Sequence, residues 1–305
     1  MKKIDYYILD VFAKNKYGGN QLAVNLDLED ALNEDEMLSI AKEINFAEST
    51  FIKQKLGENK YAVRIFTTES EIPFAGHPTI GTSYVIANYL MRTPSNTIIL
   101  DLMNGEIEVV LSDVNQIESC LYTMTQSQPA FLKEFEVDEV ATGLGIAPSI
   151  LSDTLPIQEI STGLPFIIIP IQNLEGMNQI KLNAPQFKDF LLKHQLYKSN
   201  SPSGISTSLL FFTDETFENG NDYNVRMFCI EDEILKEDSA TGSANGCFLA
   251  YLLRNKSDVI SAKIEQGFQM NRKSYLYLEG KRSGNMYDIK VGGYSITMSK
   301  GTWIL

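Results

Sequence analysis

One stretch of this chain is repeated, and the repeat constrains the fold more than any other feature. Shifted on itself by 162 positions, Val63-Arg64-x-Phe66 falls on Val225-Arg226-x-Phe228. Glu69 falls on Glu231, Glu71 on Glu233 and Ile72 on Ile234. Thr79 falls on Thr241 and Tyr89-Leu90 on Tyr251-Leu252, which makes nine identities over the 28 ungapped positions 63–90. Each copy reads as strand, acidic turn, Gly-containing loop and helix. The first helix has Ile80, Tyr84, Ala87 and Met91 at spacings that share one face, and the second has Ala244, Phe248, Tyr251 and Leu252. Two similar domains, each built on one such unit, are the expectation. Chance similarity between two amphipathic helices is the alternative, and it leaves the matches in the strand and the turn unexplained.

The length agrees, because 305 residues suggest about two domains. Strands are expected at Ile4–Phe12, Tyr61–Phe66, Gly105–Leu111, Phe166–Ile171, Ser208–Thr213, Ser274–Glu279 and Tyr294–Met298. In Tyr61–Phe66 the apolar residues Tyr61, Val63 and Ile65 alternate with Ala62, Arg64 and Phe66. Asn33 followed by Glu36 is a capping box, and Met37, Ile40, Ala41 and Ile44 give the helix it opens an apolar face. The polar, Pro-containing start of Thr123–Val137 suits a crossing between domains. The boundaries expected are 1–120 for the first domain, completed by about 292–305, and 121–291 for the second.

Composition narrows the function. With 26 Lys+Arg against 39 Asp+Glu the net charge is −13, which argues against a nucleic-acid partner and against docking on anionic lipid. No apolar run approaches the roughly 18 residues of a membrane span; the longest are Phe166–Ile171 and Cys247–Leu253. Asp5 and Asp10 interrupt any signal-peptide core, so a cytoplasmic protein is expected. Three cysteines without C-x-x-C spacing and two histidines make a disulfide framework or a metal site improbable. Nucleophile-elbow, P-loop and Rossmann glycine signatures are missing, which removes the commonest hydrolase, NTPase and dehydrogenase readings.

The chemistry concentrates at two helix starts. Phe74-Ala75-Gly76-His77-Pro78-Thr79 has a proline suited to a first turn and a glycine suited to a tight approach. Asp238-Ser239-Ala240-Thr241-Gly242-Ser243-Ala244 is built of small residues that leave backbone N–H groups open. Exposed N–H groups and a helix dipole together favour an anion. Two related domains would offer two such ends to one small carboxylate. Ordinary caps on ordinary helices remain the alternative for either motif alone. Glu48 lies in the apolar stretch Phe46-Ala47-Glu48-Ser49-Thr50-Phe51-Ile52, where burial would raise its pKa and suit it to general acid–base work. Taken alone it reads more readily as a solvent-facing Glu at a strand start. Asp238, in an acidic stretch, also reads as part of a solvated loop. His77 is a possible donor to a substrate oxygen or an ordinary structural histidine, and His194 reads as a surface helix residue.

At these residues the chain resembles the phenazine-biosynthesis PhzF-like family. The resemblance is carried by Asp10-Val11-Phe12, Gly18-Gly19-Asn20-Gln21-Leu22-Ala23-Val24, Ala47-Glu48-Ser49-Thr50-Phe51 and Arg64-Ile65-Phe66-Thr67. It continues through Pro73-Phe74-Ala75-Gly76-His77-Pro78-Thr79-Ile80-Gly81, Arg226-Met227-Phe228, Gln266-Gly267, Val291-Gly292-Gly293 and Gly301. Glu237-Asp238-Ser239-Ala240-Thr241-Gly242-Ser243-Ala244-Asn245-Gly246 is the strongest match, and the similarity spans essentially the whole chain.

The resemblance implies an α+β fold of the diaminopimelate epimerase kind: two similar domains, each a barrel-like mixed sheet around a central helix, with the active site in the cleft between them. It implies an isomerase that uses no cofactor and no metal, acts on a small carboxylate and forms a homodimer. A single Glu, matching Glu48, would move a proton between two carbons. Asp238, His77 and Ser243 match the family's substrate-binding residues, Gly76 matches the Gly before the His, and Gly242-Ser243 would supply backbone N–H groups. Epimerases of this fold use opposed cysteines; the corresponding positions are read here as Ala75 and Ser239, so two-thiol racemisation is not available. The family's Gly-Asn-Pro, Phe-Thr-Pro, Glu-Asp-Pro-Ala and Gly-Arg-Pro-Ser read Gly19-Asn20-Gln21, Phe66-Thr67-Thr68, Glu237-Asp238-Ser239-Ala240 and Asn271-Arg272-Lys273-Ser274. These departures bear on the substrate rather than on the reaction type. A non-catalytic carboxylate-binding protein of the same fold is the rival reading, and the retained Glu48, His77 and Asp238 weigh against it.

Overall fold

The computed structural model describes residues 2–103, 105–198, 204–231 and 233–305, without the side chain of Glu231. Contacts divide the chain into one unit of Met1–Thr125 with Gly292–Leu305 and a second of Gln126–Val291. The first holds β1 (Lys3–Val11), β2 (Asn20–Leu26), α1 (Glu34–Ile44), β3 (Glu48–Lys55), β4 (Lys60–Phe66), β5 (Glu71–Ile72) and α2 (Gly76–Val85). It continues with β6 (Thr97–Leu102), β7 (Gly105–Leu111) and β8 (Tyr122–Thr125). The second unit begins with β9 (Ala130–Phe135), α3 (Val137–Leu144), β10 (Ile157–Ser161), β11 (Pro165–Pro170), α4 (Leu174–Gln179) and α5 (Ala184–Lys193). β12 (Ser208–Thr213), β13 (Tyr223–Glu231), β14 (Ile234–Asp238), α6 (Gly242–Asn255), β15 (Val259–Gln266) and β16 (Ser274–Ser283) follow. After β17 (Met286–Gly293), β18 (Ser295–Ile304) belongs to the first unit.

Both units repeat one pairing scheme. In the first, β18, β1 and β2 pair antiparallel, β2 and β3 parallel, β3 and β4 antiparallel, β4 and β6 parallel, and β6, β7 and β8 antiparallel. In the second, β9, β10 and β11 pair antiparallel, β11 and β12 parallel, β12 and β13 antiparallel, β13 and β15 parallel, and β15 and β16 antiparallel. β5 and β14 are short hairpin arms against β4 and β13. The duplication read from the sequence is therefore a duplication of topology.

The registers correct its alignment. Phe66 pairs with Glu71 and Phe228 with Glu237, so the second hairpin is four residues longer, two in each arm. The strands keep the 162-residue shift, but the helices begin at Gly76 and Gly242, a shift of 242 − 76 = 166. The identities at Glu71/Glu233, Ile72/Ile234, Thr79/Thr241 and Tyr89-Leu90/Tyr251-Leu252 are thus not structural equivalences. A hairpin can lengthen without disturbing the elements beyond it, because its two arms pair with each other. The true equivalents share an interaction: Arg64 makes a forked ion pair with Glu71, and Arg226 makes the same fork with Glu237. Each guanidinium also lies over a ring two residues on, Arg64 over Phe66 at 5.1 Å and Arg226 over Phe228 at 4.8 Å.

α2 and α6 are central helices. All ten residues of α2 are buried, against β1, β2, β3, β6, β7, β8 and β18. Gly242–Leu253 of α6 are buried too, and α6 packs on β10, β11, β15 and β16. The expectation of a one-sided apolar face fails here, because a helix enclosed all round must be apolar or small all round. Gly81 shows the tightness: a Cβ there would lie 2.5 Å from Leu22 Cδ2 and 2.7 Å from Val11 Cγ2. The ordinary amphipathic helix is α1. Its Asn33 and Glu36 form the reciprocal capping box, Met37, Ile40 and Ala41 are buried, and Asn45 closes it in the left-handed conformation. β11 and β12 are buried along their whole length, which accounts for their unbroken apolar runs. No helix among the described residues is long and apolar enough to cross a membrane.

Candidate active site

Within the first unit, two adjacent strands and the central helix converge. Gly19 sits at φ +66, and a Cβ there would lie 2.2 Å from the Val11 carbonyl oxygen, so only glycine fits the turn that starts β2. Asn20 follows, buried at the first position of β2, opposite Val11. β3 runs parallel to β2 with Glu48, its first residue, beside Leu22. His77 is the second residue of α2 and 4 % exposed. Its Nε2 lies 3.5 Å from Glu48 Oε2, and its Nδ1 lies 3.4 Å from Asn20 Nδ2. The Glu48 side chain is 19 % exposed, so it is half-buried and still reaches solvent.

Burial holds His77 neutral. Desolvation pushes the imidazole pKa down to about 3, against a smaller raising effect of the Gln21 backbone. At neutral pH His77 is therefore a one-donor, one-acceptor imidazole, not a cation. Gly76 opens α2, and the N-cap residue Ala75 contributes no side-chain hydrogen bond to the first turn. The helix start thus offers backbone N–H groups with no side-chain cap.

The second unit builds its helix start differently. Asp238 ends β14, and its Oδ2 accepts from Thr241 Oγ1. Gln266 braces the turn between them: Nε2 donates to the Asp238 carbonyl at 2.9 Å and to Thr241 Oγ1 at 3.0 Å. Its Oε1 accepts from the Thr241 N–H at 3.1 Å and from Asn245 Nδ2 at 2.9 Å. Ser274 Oγ donates to the Ser239 carbonyl at 2.6 Å. Gly242 and Ser243 open α6, both buried, and Thr241 as N-cap makes no side-chain hydrogen bond to the first turn.

Of the residues singled out from the sequence, the structure gathers Gly76, His77 and Glu48 in one unit and Asp238, Gly242 and Ser243 in the other. His194 is not the surface residue expected: its side chain is 4 % exposed, packed against Phe135 and Phe190. The reading of Ser239 as the partner position of Ala75 also needs correction. With the helices offset by 166, the residue before each helix is Ala75 in one unit and Thr241 in the other. Neither is a thiol, so two-thiol chemistry is unavailable at the corrected positions. Sequence reasoning gave no role to Asn20, Thr241, Gln266 or Ser274. All four sit inside the motifs named above, but their roles depend on cross-strand neighbours that spacing does not reveal.

The registers also show what the duplication does not copy. Ser49 pairs with Phe66 and Leu209 with Phe228, so Glu48 corresponds to Ser208. His77 corresponds to Ser243 through the helix offset. Asp238, which pairs with Met227, corresponds to Ile72, which pairs with Ile65. The Glu48–His77 pair therefore has serines, Ser208 and Ser243, at the equivalent positions of the second unit.

Residues 9–301 match the PhzC-PhzF family, described as phenazine biosynthesis-like protein. The chain belongs to the PhzC-PhzF family. It is 27 % identical over 304 residues to the trans-2,3-dihydro-3-hydroxyanthranilate isomerase of Pseudomonas fluorescens, with 99 % of each chain covered. A Bacillus anthracis phenazine biosynthesis protein of the PhzF family superposes with a TM-score of 0.87 at 23 % identity, covering all of both chains. A hydroxyproline epimerase from Agrobacterium vitis, at 10 % identity, has a TM-score of 0.58 over 98 % of this chain and 92 % of its own. The expected epimerase-like α+β fold is therefore present, and this PhzC-PhzF protein is an enzyme of the isomerase class.

Proposed function

We propose that this protein is a cofactor-independent isomerase that moves a proton between two carbons of a small, cyclic or unsaturated carboxylate, with Glu48 as the single acid–base group. One observation carries the reading: a half-buried carboxylate 3.5 Å from a buried, neutral histidine at an uncapped helix start. Glu48 can take a proton from a carbon activated by a neighbouring double bond and return it to another carbon of the same delocalised system. No electrons leave the substrate, so the step balances without a redox partner. Neutral His77 can donate one hydrogen bond without adding a competing positive charge. Serines at the positions equivalent to Glu48 and His77 in the second unit support a one-base proton shift over two-base racemisation, which needs an acid and a base on opposite faces.

The substrate carboxylate would be held by the N–H groups at Gly76-His77. Asp238, Gly242 and Ser243 of the second unit are substrate-binding candidates through the family motif they carry. Hydrogen-bond donors already in place would stabilise the delocalised anion, usually the largest rate effect.

The test is proton exchange. Trans-2,3-dihydro-3-hydroxyanthranilate, named for the Pseudomonas relative, is the first compound to offer, followed by other cyclic and unsaturated carboxylates, all in heavy water. The substrate should gain deuterium at one carbon. Glu48→Gln keeps the shape, so it should bind normally while turnover falls about 10²–10⁴-fold. Near-normal turnover by Glu48→Gln would overturn the single-carboxylate reading.

A further inference from the structure

Glu48 can be assisted by His77 only if the right ring nitrogen carries the proton. We propose that Asn20 is a positioning residue that selects this tautomer: its side-chain amide donates to His77 Nδ1, which places the ring's one proton on Nε2, facing Glu48. The catalytic meaning of this inference rests on the proposed function above; the tautomer itself does not.

Three observations carry it. Asn20 Nδ2 lies 3.4 Å from Nδ1, and both side chains are buried. Nε2 makes no hydrogen bond among the described residues and lies 3.5 Å from the Glu48 carboxylate. A buried ring nitrogen beside a carboxylate is favourable as N–H and repulsive as a lone pair. In a neutral imidazole the hydrogen bond made by one nitrogen fixes the state of the other. A donor at Nδ1 and an acceptor at Nε2 therefore agree on a single arrangement. The competing group is the Gln21 backbone, which favours a protonated ring. Asn20 is the group whose amide opposes it, and Gly19 is what allows the chain to set that amide against the helix.

The arrangement explains a feature that Glu48 alone does not. A neutral Nε2–H donor lets Glu48 return to the same hydrogen bond after each proton delivery. The opposite tautomer would present a lone pair, which accepts from protonated Glu48 and holds the proton back from the substrate.

The chain has only two histidines, so ¹⁵N NMR of the imidazoles reads the tautomer directly, with His194→Gln to assign the signals. In the unliganded wild-type protein at pH 7, His77 should show a protonated Nε2 and a lone-pair Nδ1. Asn20→Asp replaces the donor with an acceptor, so the proton should move to Nδ1, and Asn20→Ala should leave a mixture. With the substrate in hand, Asn20→Asp should lower kcat by roughly 10–100-fold, the range for losing the outer partner that orients a metal-bound histidine, while KM changes little. Wild-type His77 protonated at Nδ1 overturns the proposal, whatever the variants do. So does an Asn20→Asp spectrum identical to wild type. Either result leaves the role of Glu48 standing. Conversely, loss of the Glu48 reading through Glu48→Gln leaves the tautomer assignment untouched.

Discussion

Acidifying the protein from pH 7 to pH 5 should destabilise it through His77, by an amount the structure supplies. An unfolded histidine has a pKa near 6.5, whereas burial lowers that of folded His77 to about 3. Between these values the unfolded chain binds a proton at His77 that the folded chain does not. Stability therefore rises with pH across the window. The contribution is complete above 6.5 and is lost as the pH falls towards 3. Each unit of pH inside the window is worth about 1.4 kcal/mol. The loss is about 2 kcal/mol from pH 7 to pH 5 and about 3 kcal/mol by pH 4.

Other groups titrate over the same range, so a single curve is not decisive. The comparison is urea unfolding of wild type and His77→Gln at pH 7 and pH 5, read as a difference of differences. A glutamine side chain has no proton to gain, so the variant should lose about 2 kcal/mol less than wild type over that interval, whatever its stability at pH 7. Parallel losses in the two proteins would show that folded His77 titrates as a solvated imidazole, and a wild-type loss smaller than the variant's would show that it is already charged. Either result would contradict the burial-held neutral imidazole on which its role beside Glu48 depends.

Two further outcomes follow from the central helices. Gly81→Ala gains roughly 1 kcal/mol of helix propensity, but it drives a methyl to 2.5 Å from a fully buried Leu22 methyl, and overpacking costs roughly 1–3 kcal/mol. A lowered midpoint in thermal unfolding is expected, and a raised one would show that the strands around α2 can yield. Cys247, fully buried in α6 beside Thr162, has its thiol pushed up to about 12 by burial, so it should resist iodoacetamide at pH 8 until the protein unfolds. Native-state labelling of Cys247, located by peptide mass analysis, would contradict that burial.

Sequence by itself determined the parts that depend on near neighbours. The capping box at Asn33 and Glu36 closes over three residues, and the alternation of Tyr61, Val63 and Ile65 is a property of one strand, so both appear in the structure as expected. Family motifs placed Glu48, His77 and Asp238 among the functional candidates, and the duplication was visible because its strands had kept their residues. Tertiary structure alone decided how those parts correspond. A four-residue lengthening of one hairpin offsets the helices by 166 and makes Thr241, not Ser239, the partner of Ala75, which only cross-strand registers and helix starts reveal. The same registers set Glu48 against Ser208, so the second unit carries no carboxylate at the position equivalent to Glu48. Glu48 and His77 are 29 residues apart along the chain and meet because β3 lies parallel to β2 beneath the start of α2. Whether Glu48 was a surface residue, or His77 an ordinary structural one, could not be read from either sequence neighbourhood. Burial and charge state depend on the atoms that pack around a side chain, and here those atoms come from strands distant in sequence.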